Sequence, residues 1–230
     1  MKDGPIIEHL DELRSRLIPV IIIILVFFVL GTLVSGKVID FVNDDLMNEH
    51  VKLISITPLE FMLTKIKVGL LVSVIISSPV IVYQALTFAK PALKKRERSM
   101  MRFVLPSFVL LFLIGIAFAY FIFLPVAIFF LTRFSEGLIY NLWSINRFYS
   151  FIFVTCLSAG LIFQLPLLML VLKKLNIIDI EFLKTKRSHV YVSIFVLAAL
   201  LTPPDVVTQV LIGLPLILLY ELSLAVMKLF

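Results

Sequence analysis

The stretch LIPVIIIILVFFVLGTLV, residues 17–34, contains no charged residue and decides the fold. Hydrocarbon offers no hydrogen-bond partner to backbone N–H and C=O groups, so an apolar stretch that lies in a membrane must be helical. About 20 residues are enough to span a hydrocarbon core roughly 30 Å thick. Five further apolar stretches lie at residues 68–89, 103–131, 148–172, 190–201 and 206–219. The sequence therefore predicts an all-α, polytopic membrane protein in which residues 1–230 form a single domain of six transmembrane helices.

Basic residues are concentrated in alternate connections between these stretches. Of the 21 Lys and Arg residues, 15 lie in the N-terminal tail, in residues 90–102, in residues 173–188 and at the C-terminus. Short loops rich in Lys and Arg stay on the cytoplasmic side of a membrane. Both termini are therefore predicted inside, with residues 35–67, 132–147 and 202–205 outside. The net charge of +6 follows from this pattern and, without a nucleic-acid-reading motif, does not indicate nucleic-acid binding.

The overall composition agrees with this interpretation. Hydrophobic residues make up 61% of the chain and the mean hydropathy is +1.11, which leaves no room for a soluble domain. No small-residue cleavage site follows the first apolar stretch, so it is interpreted as an anchor and not as a signal peptide. The single cysteine, Cys156, is expected to be a packing residue. The sequence shows no phosphate-binding loop, metal-ligand group or catalytic triad, so no cofactor, metal or enzymatic activity is expected.

The segment before the first stretch carries an apolar stripe. Its members recur at spacings of four, three and four, as on one face of a helix: Ile6, Leu10, Leu13 and Leu17. Residues 1–16 are therefore predicted to form an amphipathic helix at the cytoplasmic face. Glu12 and Arg16 lie four residues apart on this helix, which is the spacing of an intrahelical ion pair.

The first external connection contains Thr57-Pro58-Leu59-Glu60. This pattern is a capping box, with Thr57 as the N-cap, Pro58 in the first turn and Glu60 three residues on. The second helix is therefore predicted to begin near Pro58. Glu60 is interpreted either as this cap alone or as a functional acid, and residues 38–47 as a segment along the membrane surface.

Residues 90–102 form the connection with the densest charge. One carboxylate, Glu97, lies among five cations: Lys90, Lys94, Lys95, Arg96 and Arg98. Two interpretations stay open. Glu97 either neutralises its neighbours in a solvated turn, or is presented to a basic ligand while nearby cations contact anionic lipid.

The fourth stretch is interrupted by Gln164 and Pro166. Proline removes a backbone hydrogen bond and kinks a helix. Gln164 places an amide deep in an apolar run, where polar side chains face the bundle interior. Its role is either a contact between helices or part of a ligand path.

The last two stretches surround the turn Thr202-Pro203-Pro204-Asp205, because consecutive prolines cannot continue a helix. As helices, residues 189–201 and 206–219 are each only about 20 Å long, less than the roughly 30 Å of hydrocarbon. We expect two short final helices that depend on thinned bilayer, water or partner helices. Gln209 and Glu221 are polar residues of the last segment, and each needs a hydrogen-bonding partner there.

Five short patterns, in order along nearly the whole chain, resemble the TatC family, the multispanning core of the twin-arginine protein translocase. They are His9-Leu10-x-Glu12-Leu13-Arg14-x-Arg16-Leu17, Phe88-x-x-Pro91-Ala92-Leu93-x-x-x-Glu97-Arg98, Phe163-Gln164-Leu165-Pro166, Thr202-Pro203-Pro204-Asp205-x-x-x-Gln209 and Leu219-Tyr220-Glu221. Each pattern is weak alone, whereas the ordered set is specific. Five of these positions are taken as structural: Phe88, Pro91, Pro166, Pro203 and Pro204. The resemblance implies six transmembrane helices in a bacterial cytoplasmic (inner) membrane.

The resemblance implies that the chain binds the signal peptide of folded cargo, whose n-region carries two consecutive arginines. The carboxylates held responsible in the family align with Glu12 and Glu97, and Arg14 and Arg98 are candidates to position them. A guanidinium fork can form two hydrogen bonds with a carboxylate, which lysine cannot copy. Two consecutive arginines therefore need two carboxylates close together at the cytoplasmic face.

The resemblance also implies single-span partner proteins, TatA and TatB, in an oligomeric complex. They are expected along the fifth and sixth helices, with Thr202 and Gln209 as polar contacts. The family commonly has a glutamate in a concave groove at the position of Gln164. An amide does not titrate, so no proton relay through this residue is expected. Asp205 and Glu60 match acidic family positions to which no mechanism is assigned.

The sequence thus predicts a receptor and scaffold that exports folded proteins across the cytoplasmic membrane. No nucleotide-binding motif is visible, and a protonmotive energy source follows from the resemblance. Two rival classes stay open. A secondary transporter of a small solute or ion needs paired charges at mid-membrane depth, where the chain offers only Gln164. An intramembrane enzyme needs a nucleophile–base pair or metal ligands facing each other, and the sequence shows neither.

Overall fold

The computed structural model describes residues 5–47, 51–89, 101–133, 141–175, 177–201 and 206–229, and nearly all of them are helical. In chain order the helices are α1 (Pro5–Leu46), α2 (Pro58–Ala89), α3 (Met101–Phe118), α4 (Leu124–Arg133), α5 (Ile145–Ile162), α6 (Leu165–Lys174), α7 (Ile180–Thr185), α8 (Arg187–Leu201) and α9 (Val206–Leu229). A π-helical turn (Ala119–Phe123) joins α3 to α4, and two short strands, β1 (Val51–Ile54) and β2 (Asn141–Ser144), lie between helices. The predicted helical architecture is confirmed, with a two-stranded ribbon added.

The helices have the length and apolarity of membrane spans. Within the described residues, five segments are long and apolar enough to cross a bilayer: Leu10–Leu46, Pro58–Phe88, Arg102–Arg133, Ile145–Lys174 and Gln209–Lys228. A shorter apolar helix, Arg187–Ala199, agrees with the predicted short fifth helix. The prediction of a short last helix is wrong, because α9 continues through Glu221. Arg187 and Tyr191 hold the Glu221 carboxylate, so this charge does not end the helix.

α1 runs from the N-terminal segment through the first apolar stretch to Leu46 without interruption. Residues 38–46 are therefore part of this helix and not a separate surface segment, whereas the membrane boundaries near residues 16 and 35 stay predictions. Ile39 and Val42 follow at helical spacing and are buried in the larger core. The Tyr149 hydroxyl of α5 lies 2.9 Å from the Ile39 carbonyl oxygen, and this contact fixes the far end of α1 to the bundle.

α1 packs antiparallel against α2 along what we name the α1–α2 seam, formed by Ile24, Gly31, Thr32, Gly69 and Ser73. A Cβ atom added at Gly69 would lie 2.8 Å from the Thr32 backbone nitrogen, and one at Gly31 would lie 2.6 Å from the Gly69 carbonyl oxygen. The Ser73 hydroxyl donates to the Ile24 carbonyl oxygen at 2.7 Å. Small residues of this kind let the backbones of membrane helices approach closely.

One end of the bundle, named here the ribbon end, is held by the parallel pairing of β1 with β2. The register runs from Val51 opposite Asn141 to Ile54 opposite Ser144. Both strands lie in segments that the sequence predicts to be external connections. Within the predicted connections 35–67 and 132–147, helix or strand occupies every described residue except 47 and 55–57, so these segments are not open loops. A four-residue strand whose partner lies far along the chain leaves no periodic signal in the sequence.

The opposite end, named here the basic end, holds α7 and the adjoining ends of α6, α8 and α9. The Tyr220 hydroxyl donates to the Leu183 carbonyl oxygen at 2.8 Å. The Lys173 ammonium donates to the Met227 carbonyl oxygen. The predicted loop 173–188 is therefore not open chain, since it contains α7 and is tied to α9 by these contacts.

Buried apolar side chains form two clusters. The larger cluster joins α1, α2, the α3–α4 region and α5. The smaller cluster joins α6, α8 and α9 around Tyr220 and Leu224. The helix break between α5 and α6, at Phe163–Gln164, lies where the two clusters adjoin.

Candidate functional site

Glu12 lies on α1 near the basic end, and its side chain is half-buried. Its carboxylate forms no ion pair with any residue in the described part of the chain. The ion pair that the spacing of Glu12 and Arg16 favours is therefore not formed, and Arg14 does not pair with Glu12 either, so its positioning role stays a prediction. Arg14 is two positions along the helix and projects from a different side. Arg16 has the favourable spacing, but its guanidinium does not come within ion-pairing distance of Glu12.

Glu12 and the end of α2 lie at the same end of the bundle. The hydrogen bond from Ser73 to Ile24 fixes the register of α1 against α2. From this bond, Glu12 lies about 18 Å along α1 and Phe88 about 22 Å along α2, at a rise of 1.5 Å per residue. Because the helices are antiparallel, both distances run toward the basic end. The connection that follows α2 therefore starts at about the level of Glu12.

This connection carries the other predicted carboxylate. Pro91, Glu97 and Arg98 lie outside the described residues. α2 ends at Ala89 and α3 begins at Met101, so both ends of the connection are fixed at the basic end.

The break at Phe163–Gln164 confirms the kink predicted from Pro166. In the broken turn the Gln164 backbone N–H bonds to the Leu161 carbonyl oxygen, which leaves the Gly160 carbonyl without its helical partner. The Gln164 side chain fills this vacancy, because its Nε2 donates to the Gly160 carbonyl oxygen at 3.1 Å. Its Oε1 is buried and has no hydrogen-bond partner among the residues that the structure describes.

α2 begins at Pro58, as predicted, but the predicted capping box is not formed. Glu60 Oε2 accepts from the Ile56 backbone N–H at 3.0 Å, one residue before the expected N-cap, and the Glu60 N–H donates to the Thr57 backbone carbonyl oxygen at 3.0 Å. Glu60 Oε1 accepts from the Ser144 hydroxyl at 3.3 Å. The acid therefore ties α2 to β2 at the ribbon end.

Lys67 is a polar residue whose role sequence analysis missed. Its Nζ donates to Asn146 Oδ1 and to Ser150 Oγ, each at 2.6 Å. These contacts join α2 to the first turns of α5. An isolated lysine in a helix with an apolar face signals that partners are needed, but the sequence does not say where along the chain they lie.

Glu221 finds its partners on α8. Its Oε2 accepts from Arg187 Nη2 at 2.8 Å, and its Oε1 accepts from the Tyr191 hydroxyl at 2.6 Å. The expectation that this acid needs an internal partner is confirmed. Sequence analysis did not identify either partner.

Gln209 also joins two helices. Its Nε2 donates to the Phe195 carbonyl oxygen at 3.0 Å, which ties the start of α9 to α8. The adjoining turn lies outside the described residues, together with its predicted members Thr202, Pro203, Pro204 and Asp205.

These observations define a polytopic, helical membrane protein. Within the described residues, three side chains donate to backbone carbonyl oxygens of neighbouring helices: Ser73 to Ile24, Gln164 to Phe108 and Gln209 to Phe195. Glu12 at the basic end has an unpaired carboxylate.

The chain belongs to the TatC family, because the family profile described as "Sec-independent protein translocase protein (TatC)" matches residues 8–215. It is 38% identical to the Aquifex aeolicus protein of that name, over 98% of this chain and 95% of the relative. It is 36% identical to the Escherichia coli protein, over 95% of this chain and 86% of the relative. A crystal structure titled "Twin Arginine Translocase Receptor- TatC" superposes with a TM-score of 0.85 at 37% identity, covering 96% of this chain and 98% of that one. The family consists of translocase components and not of enzymes.

Proposed function

We propose that this chain is the receptor for twin-arginine signal peptides in its translocase, and that Glu12 and Glu97 bind the two guanidinium groups. The unpaired, half-buried carboxylate of Glu12 carries the proposal. An unpaired carboxylate has its acceptor positions available for the guanidinium group of a signal-peptide arginine. Since the connection bearing Glu97 starts at about the level of Glu12, a peptide at the basic end has both acids within reach.

The remaining parts of the proposed mechanism concern orientation and partners. The basic end faces the cytoplasm, as the concentration of Lys and Arg there favours. TatA and TatB dock along α8 and α9 near Thr202 and Gln209, where the short α8 leaves a hydrophobic mismatch for partner helices to cover. The complex lies in the cytoplasmic membrane, and the protonmotive force drives export.

The direct test measures affinity for a fluorescent twin-arginine signal peptide, with the full chain in nanodiscs. A charge-assisted hydrogen bond contributes about 1.5–3 kcal/mol, so Glu12→Gln and Glu97→Gln should each weaken binding roughly 10- to 100-fold. A twin-lysine peptide should bind the wild-type chain more weakly than the twin-arginine peptide, because lysine lacks the fork.

Glu181→Gln is the matched control, since Glu181 is an exposed acid on α7 at the same end of the bundle. It should leave peptide affinity unchanged. Wild-type affinity in the Glu12→Gln/Glu97→Gln double variant, or equal binding of the two peptides by the wild-type chain, would contradict the proposal.

A further inference from the structure

The α1–α2 seam continues toward the basic end into two polar side chains that neither the fold nor the proposed site uses. Gly69, Ser73 and Ser77 recur every four residues on one face of α2, and Gln84 follows seven residues later on the same face. Gly69 and Ser73 contact α1 directly. Helical spacing thus puts Gln84 on the α1-facing side of α2, one turn beyond Pro79.

On α1, Arg16 lies at a similar level toward the basic end. It lies eight residues before Ile24, or about 12 Å from the Ser73–Ile24 hydrogen bond, whereas Gln84 lies about 16 Å from it along α2. Both positions are one turn inside the acidic site, since Glu12 is four residues beyond Arg16 and Phe88 is four residues beyond Gln84.

Both side chains keep a buried polar atom without a hydrogen-bond partner. Gln84 Oε1 and Arg16 Nε are each inaccessible to solvent, and neither finds a partner within the described residues. Leaving a buried donor or acceptor unsatisfied is costly, and most such groups in folded proteins are paired. Because both atoms lie close to the proposed peptide site, a bound peptide is a candidate to supply the missing hydrogen-bond partners. Each side chain is half-buried as a whole, so other atoms of the same side chain lie at the surface.

One acceptor and one donor are what a peptide unit of an extended chain needs, since each unit presents one N–H and one C=O group. We propose that Gln84 Oε1 and Arg16 Nε hydrogen-bond the main chain of the signal peptide next to its twin arginines. This inference rests on the proposed receptor function and extends it, because main-chain contacts fix the position of the peptide whereas the two acids read its side chains.

The test combines Gln84→Leu with backbone-modified peptides, again in nanodiscs. Gln84→Leu removes the acceptor and should weaken binding of the twin-arginine and twin-lysine peptides by the same factor, about 3- to 10-fold. The ratio of the two affinities should not change, because the main chain of both peptides is identical. Arg16→Lys keeps the charge but not the Nε–H group, and should act in the same way.

Replacing single peptide amides by esters then locates the contact. An ester has no N–H group, so one position near the arginines should weaken binding to the wild-type chain and have no further effect in Gln84→Leu. Thr87→Val is the matched control, since the Thr87 hydroxyl bonds to the Tyr83 carbonyl oxygen of its own helix at 2.7 Å. If Gln84→Leu does not fold, Gln84→Met, which is unbranched and also lacks an acceptor, takes its place.

Two results would overturn the inference. One is an ester scan that gives the same losses in the wild-type chain and the Gln84 variant at every position. The other is a fall in the twin-arginine to twin-lysine ratio, which would mean that Gln84 reads the side chains. Failure of the receptor function itself is distinguished by Glu12→Gln, which would then leave affinity unchanged whatever Gln84 does.

Discussion

At Gln164 it is the amide nitrogen, and not the oxygen, that has a structural role. The break that Pro166 imposes frees the Gly160 carbonyl, and only a side chain with a hydrogen to donate can satisfy it. A glutamine always has that donor, whereas a carboxyl group has it only when protonated. Glutamine at this position therefore keeps this contact at every physiological pH.

This difference predicts the behaviour of Gln164→Glu. At pH 8 its free energy of unfolding should be about 1–3 kcal/mol below that of the wild-type chain, because a carboxylate cannot donate to the Gly160 carbonyl oxygen. Acidification should restore stability, since the folded state favours the protonated carboxyl and the contact is lost as the pH rises. Thermal unfolding in detergent between pH 5 and pH 8 measures this. Gln164→Met, similar in volume and without a donor, should lose stability equally at both pH values. A pH-independent loss in Gln164→Glu would contradict this account.

Among the helices, α1 is longer than the composition of its sequence segments suggested. Sequence analysis divided residues 1–47 by composition into an amphipathic helix, a span and a surface segment. The helical spacing of apolar residues in fact continues to Leu46, and it places Ile39 and Val42 in the larger buried cluster. Composition marks where a helix leaves hydrocarbon, whereas the periodicity of apolar residues marks where it ends.

The close approach of α1 to α2 gives a prediction about Gly69. A methyl group there would lie 2.8 Å from the Thr32 backbone nitrogen, so Gly69→Ala must push the helices apart. Overpacking of this kind costs about 1–3 kcal/mol, which thermal unfolding in detergent should detect as a lower midpoint. Gly36→Ala is the control on α1, because a Cβ atom there meets nothing within 4 Å and alanine favours the helix by up to about 1 kcal/mol. Equal thermal stability of Gly69→Ala and Gly36→Ala would contradict the close packing at Gly69.

For the whole molecule, the sequence was enough to predict membrane helices, the kink at Pro166, the start of α2 and the short α8. These features depend on local properties: apolar length, proline chemistry and capping. It was not enough to predict the ribbon, the continuity of α9 through Glu221 or the partners of Lys67. Each of these depends on a residue far along the chain, and one sequence carries no record of which distant residues meet.

The candidate site, too, could be predicted from the sequence only in part. Glu12 was identified by its family pattern, yet its lack of an ion pair with Arg14 or Arg16 became apparent only from the structure. Gln84 carried no signal in the sequence. Gln84 became a candidate for peptide binding only from the register of α2 against α1, which the Ser73–Ile24 hydrogen bond sets.

The orientation of the whole bundle is the premise shared by every proposal about the basic end, and it can be tested directly. The chain has one cysteine, Cys156, which is buried, so the wild-type protein should not react with a membrane-impermeant thiol reagent. Lys52→Cys places a thiol at an exposed position of β1, and Lys184→Cys places one at an exposed position of α7. With the basic end in the cytoplasm, intact spheroplasts should label Lys52→Cys, and only permeabilised ones should label Lys184→Cys. Labelling of Lys184→Cys from outside would put Glu12 on the wrong side of the membrane to meet a cytoplasmic signal peptide.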